Sequence, residues 1–232
     1  TNNLVGTLNG LGEWAISEGP CRDALERSRR VLGESAQTGS LLEMLGVSLA
    51  NQGRHAEAEA AFRESLANFR AVLHPAHWRI ASETRNVAGT LALQGRHAEA
   101  VPLIEEAVAL AEGGERMAAP IRGVLRAQLA ANIAALGREE EAIAMARAAL
   151  ATIREEDPPS DSLVLSEVQN SLARLLLVSG AVARDASTAR EAEELFRSAL
   201  AIREGWFPPK HPLAAEPKLG LAIALVAQGR GG

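Results

Sequence analysis

The 232-residue chain has no Tyr, and Phe and Trp together supply only 3% of it. Compact globular cores lean on large rings, so this scarcity points to helices packed closely through small side chains, and Ala dominates the sequence. A single cysteine, Cys21, excludes an intrachain disulfide and a Cys-built zinc site. It fits a reducing, cytoplasmic setting. Lysine is confined to Lys210 and Lys218, every other cation being Arg, a bias that suits a GC-rich bacterial source. A net charge of −5 argues against a platform for nucleic acid or an anionic membrane, which needs clustered cations. No apolar run reaches the roughly 18 residues of a membrane span, and no charged-then-apolar leader opens the chain. The sequence starts at Thr1 and closes on Gly231-Gly232 where another helix is due, so it reads as a piece of a longer protein.

What is present is a repeat. Three helical runs end alike, at Ala50-Asn-Gln-Gly53-Arg-His, Ala92-Leu-Gln-Gly95-Arg-His and Ala134-Ala-Leu-Gly137-Arg-Glu, with looser copies at Gly19, Gly180 and Gly229. The spacings are 34, 42, 42, 43 and 49 residues. About eight residues before each glycine stands a large residue followed by a small one: Leu11-Gly12, Leu45-Gly46, Val87-Ala88, Leu129-Ala130, Leu172-Ala173 and Leu221-Ala222. A further apolar residue follows four positions on, which is one face of a helix. The glycine supplies the permissive backbone of a tight turn. A second helix then carries small residues seven apart, Ala58/Ser65, Ala100/Ala107, Ala142/Ala149 and Ala192/Ala199. Small residues at fixed places are what close helix crossings demand. A generic Ala-rich bundle has no reason to keep a 42-residue period.

These features resemble the tetratricopeptide repeat. The first interval matches its standard length, and the 42-residue copies are similar to the longer kinesin-light-chain version. Glu57-Ala-Glu-Ala-Ala-Phe-Arg-Glu-Ser-Leu66, the matching run from Glu191, and the connectors His74-Pro75 and His211-Pro212 carry the same likeness. The resemblance implies an all-α, right-handed superhelical solenoid of antiparallel helix pairs. Five pairs and a terminal helix would form one domain over 1–232, with repeats at 5–38, 39–75, 77–117, 119–157, 162–207 and 212–230. Two departures stand out: a longer connector at 157–162 and an insertion from Val182 to Thr188.

No set of residues reads as catalytic, and neither a cofactor nor a metal is expected. The glycine-rich stretch Gly6 to Gly12 has no preceding strand and no Lys-Ser/Thr, so it is no phosphate loop. His74 and His77 flank Pro75, which breaks the helix that would align two ligands; Trp78 beside them reads as a staple between repeats. His55 and His97 follow the turn glycines as packing residues, and Glu139, Glu140 and Glu141 suit a helix N-terminus.

In the family the first helix of each pair lines a concave groove. Placing that face here gives Asn9 and Glu13, then Glu43, Val47 and Asn51, then Arg85, Asn86 and Gly89. Gln128 and Ala131, Asn170 and Arg174, and Lys218 and Leu219 complete it. Amides can bond a peptide backbone and arginines can hold carboxylates. Chaperone-binding members of the family need Lys and Asn where this chain has Asn9 and Glu13, so that variant is not expected. The resemblance implies a protein or peptide partner, either separate or part of the parent chain, with no role for nucleic acid or membrane and the oligomeric state left open. His77 to Ser82 followed by Gly95 to Ala100 is similar to repeat arrays behind bacterial serine/threonine kinase domains. The expectation is therefore an interaction module of a bacterial regulator and not an enzyme, the alternatives being an oligomerisation scaffold or a ligand-sensing domain.

Overall fold

In the computed structural model, residues 2–113, 119–155, 162–178, 186–208 and 211–230 are described. They form eleven α-helices and no strand: α1 (Asn2–Gly10), α2 (Trp14–Leu32), α3 (Ala36–Asn51), α4 (His55–Val72), α5 (Trp78–Leu93), α6 (His97–Gly113), α7 (Ala119–Ala135), α8 (Glu139–Glu155), α9 (Leu163–Val178), α10 (Ala186–Trp206) and α11 (Pro212–Ala227). The looser glycine Gly180, the connector at 157–161, residues 182–185 of the insertion and Lys210 lie outside the described residues.

By packing, the chain divides into two compact units, Thr1–Arg116 and Met117–Gly232. In the first, the pairs α1/α2, α3/α4 and α5/α6 pack internally, and each successive pair is joined through α2·α3 and α4·α5. In the second, α7/α8 and α9/α10 form the pairs, α8 meets α9, and α11 packs on α9 and α10. This is an all-α, helix-pair architecture of the tetratricopeptide type.

Small residues sit where helices cross. A Cβ on Gly46 would come 2.6 Å from the Phe62 ring, and one on Gly39 2.8 Å from Phe69. Gly123 meets Ile153 and Gly220 meets Phe196 in the same way. Ala58, Ala100, Ala142 and Ala192, the first of each seven-residue couple, are 0% exposed. So are Ser65, Ala107, Ala149 and Ala199, the second. The scarce rings are thus spent filling gaps that glycines leave.

The turns inside the pairs are one motif repeated. Gly53 has φ +77°, its N–H donates to the Ala50 carbonyl (3.0 Å), and the Arg54 N–H reaches back to Leu49 (3.0 Å). That reciprocal pair satisfies carbonyls the helix end would otherwise leave open. Gly95, Gly137 and Gly229 repeat it, with φ between +72° and +83°. The first pair departs from expectation. Its turn glycine is Gly12 (φ +80°), with the Glu13 N–H bonded to Leu8 (2.9 Å), whereas Gly19 lies inside α2. The first period is therefore 41 residues, Gly12 to Gly53, and not 34.

A polar clamp ties successive pairs. Arg54 Nη1 donates to Glu18 Oε2 (2.6 Å), and Gln52 Nε2 bonds the same oxygen (3.3 Å). Arg96 and Gln94 hold Glu59 Oε2 at 2.7 and 2.9 Å, and Arg230 and Gln228 hold Glu193 Oε2 at 2.7 and 2.9 Å. Each acceptor is also paired with an Arg four residues on: Arg22, Arg63 and Arg197. Burial alone would raise the Glu59 carboxyl, but hydrogen bonds from Gln94 and Arg63 and the charge of Arg96 hold it below the usual carboxylate range.

Prolines interrupt α2, α6 and α11 at Pro20, Pro102 and Pro217. Pro217 has no N–H to give the Leu213 carbonyl one turn back. The buried guanidinium of Arg203 supplies that donor instead, Nη1 to Leu213 O at 2.7 Å.

A polar cluster between two first helices

In the first unit, α3 and α5 are the first helices of neighbouring pairs, and their facing sides carry charge. Arg79 Nη1 donates to Ser40 Oγ (2.5 Å). Its guanidinium lies 5.1 Å from the Phe69 ring centroid and 5.3 Å from that of Trp78, a cation–π arrangement. Glu43 on α3 is half-buried, and Arg79 and Arg85 on α5 both act on its charge. Burial pushes the Glu43 carboxyl up, and those two guanidinium groups offset it only in part.

Beneath them Glu83 is 1% exposed. Its Oε1 accepts a hydrogen bond from Asn86 Nδ2 (3.2 Å), while Oε2 has no partner. Burial first, and the charge of Glu43 second, push the Glu83 carboxyl up to about 8 against the Ser65 hydroxyl, the Asn86 amide and the charge of Arg79. Glu83 is therefore largely a neutral acid at pH 7. The corresponding places in other first helices hold Leu41, Leu125 and Val168, so the acid stands in a core position. Thr84 beside it also has a buried hydroxyl without a partner.

The structure brings together Glu43, Arg85 and Asn86 of the residues expected to line a groove. Asn9 lies in the last turn of α1, half-buried, where its amide donates to the Met44 carbonyl (3.2 Å) and accepts from Ser17 (2.6 Å). Glu13 precedes α2 in the turn and is exposed. Asn51 is exposed at the end of α3 with its amide on the Val47 carbonyl (2.8 Å).

In the second unit Gln128 is half-buried on α7, its backbone carbonyl accepting from Asn132 Nδ2 (2.9 Å). Asn170 is only 3% exposed, and its Oδ1 has no partner. Arg174 is exposed and ion-paired with Glu216 of α11 (2.7 Å). Lys218 pairs with Glu204 of α10 (3.0 Å). Both cations are thus engaged in holding α11. Arg79 and Glu83 were not legible as site residues, although an acid in the leucine place of a repeat is the signal that marks the second.

Two of the five histidines, His77 and His211, are helix caps, and His74 makes a similar bond inside the connector before α5. His77 Nδ1 accepts from the Arg79 N–H (3.2 Å), His74 Nδ1 from Ala76 (3.2 Å) and His211 Nδ1 from Leu213 (3.3 Å). Trp78 is 46% exposed beside the His77 ring, with centroids 5.8 Å apart. Among the described residues no group of three or more His, Cys, Asp or Glu is placed to hold a metal ion. Nor is any helix among them long and apolar enough to cross a membrane. Cys21 is buried, which pushes its thiol up to about 11.

The tetratricopeptide repeat family matches residues 1–71 and again residues 84–112. No curated protein sequence matches the chain. Among solved structures it is similar to BtubC (BKLC) from P. vanneervenii, with TM-score 0.67 and 18% identity over 94% of this chain and 85% of that one. TPR-like repeats of kinesin-light-chain type from Podosopora anserina give TM-score 0.65 and 21% identity over 88% and 93% of the two chains. A Rap protein complexed with Competence and Sporulation Factor gives TM-score 0.61 and 15% identity, over 97% of this chain and 63% of that one. The chain carries tetratricopeptide repeats at residues 1–71 and 84–112, and its fold is that of the kinesin-light-chain-like repeat proteins.

Proposed function

We propose that the chain is a protein-interaction module, and that the facing sides of α3 and α5 take a peptide or helix from a partner or from the parent chain. The observation that carries this is the convergence of Glu43, Arg85 and Asn86 over the buried Glu83. A core carboxyl with one oxygen unpartnered is costly to keep. Such perturbed groups concentrate where a protein binds or reacts. The Rap relative, solved in complex with Competence and Sporulation Factor, supports the reading that this fold receives a ligand. The parent is read as a bacterial multidomain regulator working in the cytoplasm.

The test is selection from a displayed random-peptide library on the intact chain, followed by affinity measurements on variants. Peptides recovered by this surface should lose about tenfold or more in affinity on Arg85→Glu and on Asn86→Ala. Both variants should stay folded with unchanged helicity, Asn86→Ala melting lower because it takes the amide donor from the buried Glu83 Oε1. If the recovered peptides bind both folded variants as well as they bind the parent chain, the surface is not the binding site.

A further inference from the structure

We propose that Arg79 and Glu83 form a proton-operated latch between α3 and α5. While Glu83 is neutral, Arg79 reaches across to Ser40; when Glu83 is charged, Arg79 turns onto it within α5 and releases α3. The two residues stand four apart on one helix, a spacing at which side chains are neighbours. Arg79 is nevertheless engaged elsewhere. Its Nη1 donates to Ser40 Oγ on α3 (2.5 Å), with the guanidinium over the Phe69 and Trp78 rings. That bond matters to the surface, because α3 and α5 are joined chiefly through α4, which packs on both. In the second unit the matching first helices, α7 and α9, pack directly on each other.

Glu83 holds the other half of the device. It is 1% exposed, Oε1 accepts from the Asn86 amide (3.2 Å), and Oε2 has no partner. Ser65 on α4 has a single hydroxyl proton, which the Gly39 carbonyl also draws on at 2.9 Å. A buried carboxylate with an open oxygen is far costlier than the neutral acid, so ionisation demands a new donor. The packed elements differ in what they bring. From α3 comes Glu43, whose charge opposes ionisation. None of the residues that α4 and α6 bury is ionisable. On α5 itself Arg79 acts on the Glu83 charge, whereas Arg85 acts on Glu43. Arg79 is thus the cation placed to answer, one turn away, and turning onto Glu83 takes it from Ser40, Phe69 and Trp78. The surface then loses one positive charge and its tie across to α3. The latch stands without the reading that this surface binds a peptide; what it regulates, release of an acidic segment as pH rises, rests on that reading.

Side-chain NMR of the intact chain between pH 6 and pH 10 tests the latch with no ligand present. The Glu83 carboxyl, the Arg79 guanidinium and the Trp78 indole should shift together with one midpoint at about 8. In Glu83→Gln the transition of the last two should vanish, whereas one arising in the His77 ring beside Trp78 would persist. Ser40→Ala, which frees Arg79 to turn, should lower the Glu83 midpoint. Ionisation of Glu83 with Arg79 and Trp78 unmoved overturns the proposal, as does a Glu83 midpoint in the ordinary carboxylate range or one that Ser40→Ala leaves unchanged. The parent chain alone supplies the first of these readouts, so the decision does not depend on either variant folding. Library peptides that need Arg85 should bind the parent severalfold more weakly at pH 9 than at pH 7, and Glu83→Gln equally at both. Level affinity beside an intact spectroscopic transition leaves the latch standing and places the peptide elsewhere.

Discussion

Arg203 is the side chain whose removal should say most about how the last helices hold together. It is 6% exposed, donates to the Leu213 carbonyl at 2.7 Å, and places Nε 3.2 Å from Ser166 Oγ. Arg203→Met keeps the apolar stem and deletes the donors. The Leu213 carbonyl then has neither the guanidinium nor a helix amide, since residue 217 is proline. An orphaned polar group costs about 1–3 kcal/mol and the Ser166 bond about 1 more. The Glu216 contact adds little, because that carboxylate is 43% exposed and keeps Arg174 at 2.7 Å. The expected loss is about 2–4 kcal/mol.

Native-state hydrogen exchange of the α10 and α11 amides reads this directly, because opening of α11 is local and need not unfold the chain. Protection there should fall roughly thirty- to a thousandfold. The control is Pro217→Ala, which returns an amide N–H to the Leu213 carbonyl within the helix. In that background Arg203→Met should cost about 1 kcal/mol, leaving a coupling of about 1–3 kcal/mol between two residues that share one carbonyl. If the cost of Arg203→Met is the same in both backgrounds, the proline and the arginine are independent and the reasoning fails.

Glu83→Gln should flatten the alkaline side of the stability profile. A carboxyl raised from 4.5 to about 8 favours the folded state fully below pH 4.5, and that contribution is lost as pH rises through 8. The variant should therefore gain a few kcal/mol over the parent at pH 9 in urea titrations, and an unchanged difference between pH 5 and pH 9 would sink the claim. Glu59→Gln should act with the opposite sign. Its carboxyl is held below the ordinary range, so the clamp contributes above pH 4.5 and fades as pH falls through the folded value. A cost of about 1–3 kcal/mol at pH 7 that shrinks as the pH falls below 4.5 is expected. Ala100→Leu and Ala142→Leu overfill crossings where both alanines are 0% exposed, and should each cost about 1–3 kcal/mol or more in thermal melts.

The helix pairs were legible because a turn glycine and small crossing residues are local demands with no alternative chemistry. The first pair was not. Leu11-Gly12 imitates the large-small couple of a first helix, so the sequence pattern slid α1 toward the turn and took Gly19 for the turn glycine. Only the backbone distinguishes them: Gly12 needs φ +80°, a conformation costly for other residues, whereas Gly19 is ordinary helix. That slip carried Asn9 and Glu13 onto a face they do not share. Further along, Glu43, Arg85 and Asn86 were placed on one face by the family resemblance, and the structure brings them together. Glu83 and Arg79 needed three-dimensional neighbours, Asn86, Ser40, Phe69 and Trp78, before their roles showed.

The clamp lies between these cases, because its signal is in the sequence but only as a pair of distant elements. Gln-Gly-Arg recurs at 52–54, 94–96 and 228–230. Glu-x-x-x-Arg recurs at 18–22, 59–63 and 193–197, in the helix before each. Neither element alone means more than a polar turn or a solvated helix face, and each looks dispensable. Together they predict one partly buried acceptor shared by a guanidinium and an amide, which is what Glu18, Glu59 and Glu193 are. Around the turn at Gly137 the sequence has neither element, with Leu136 in the glutamine's place and Val101 in the glutamate's, and Arg138 pairs locally with Glu141 at 2.7 Å. Within the first unit, Gln94→Leu should destabilise the chain, since it takes one donor from Glu59 Oε2. Combined with Glu59→Leu it should cost less in denaturant titrations than the two single losses added together. If the two losses simply add, the two sequence elements do not act as one device.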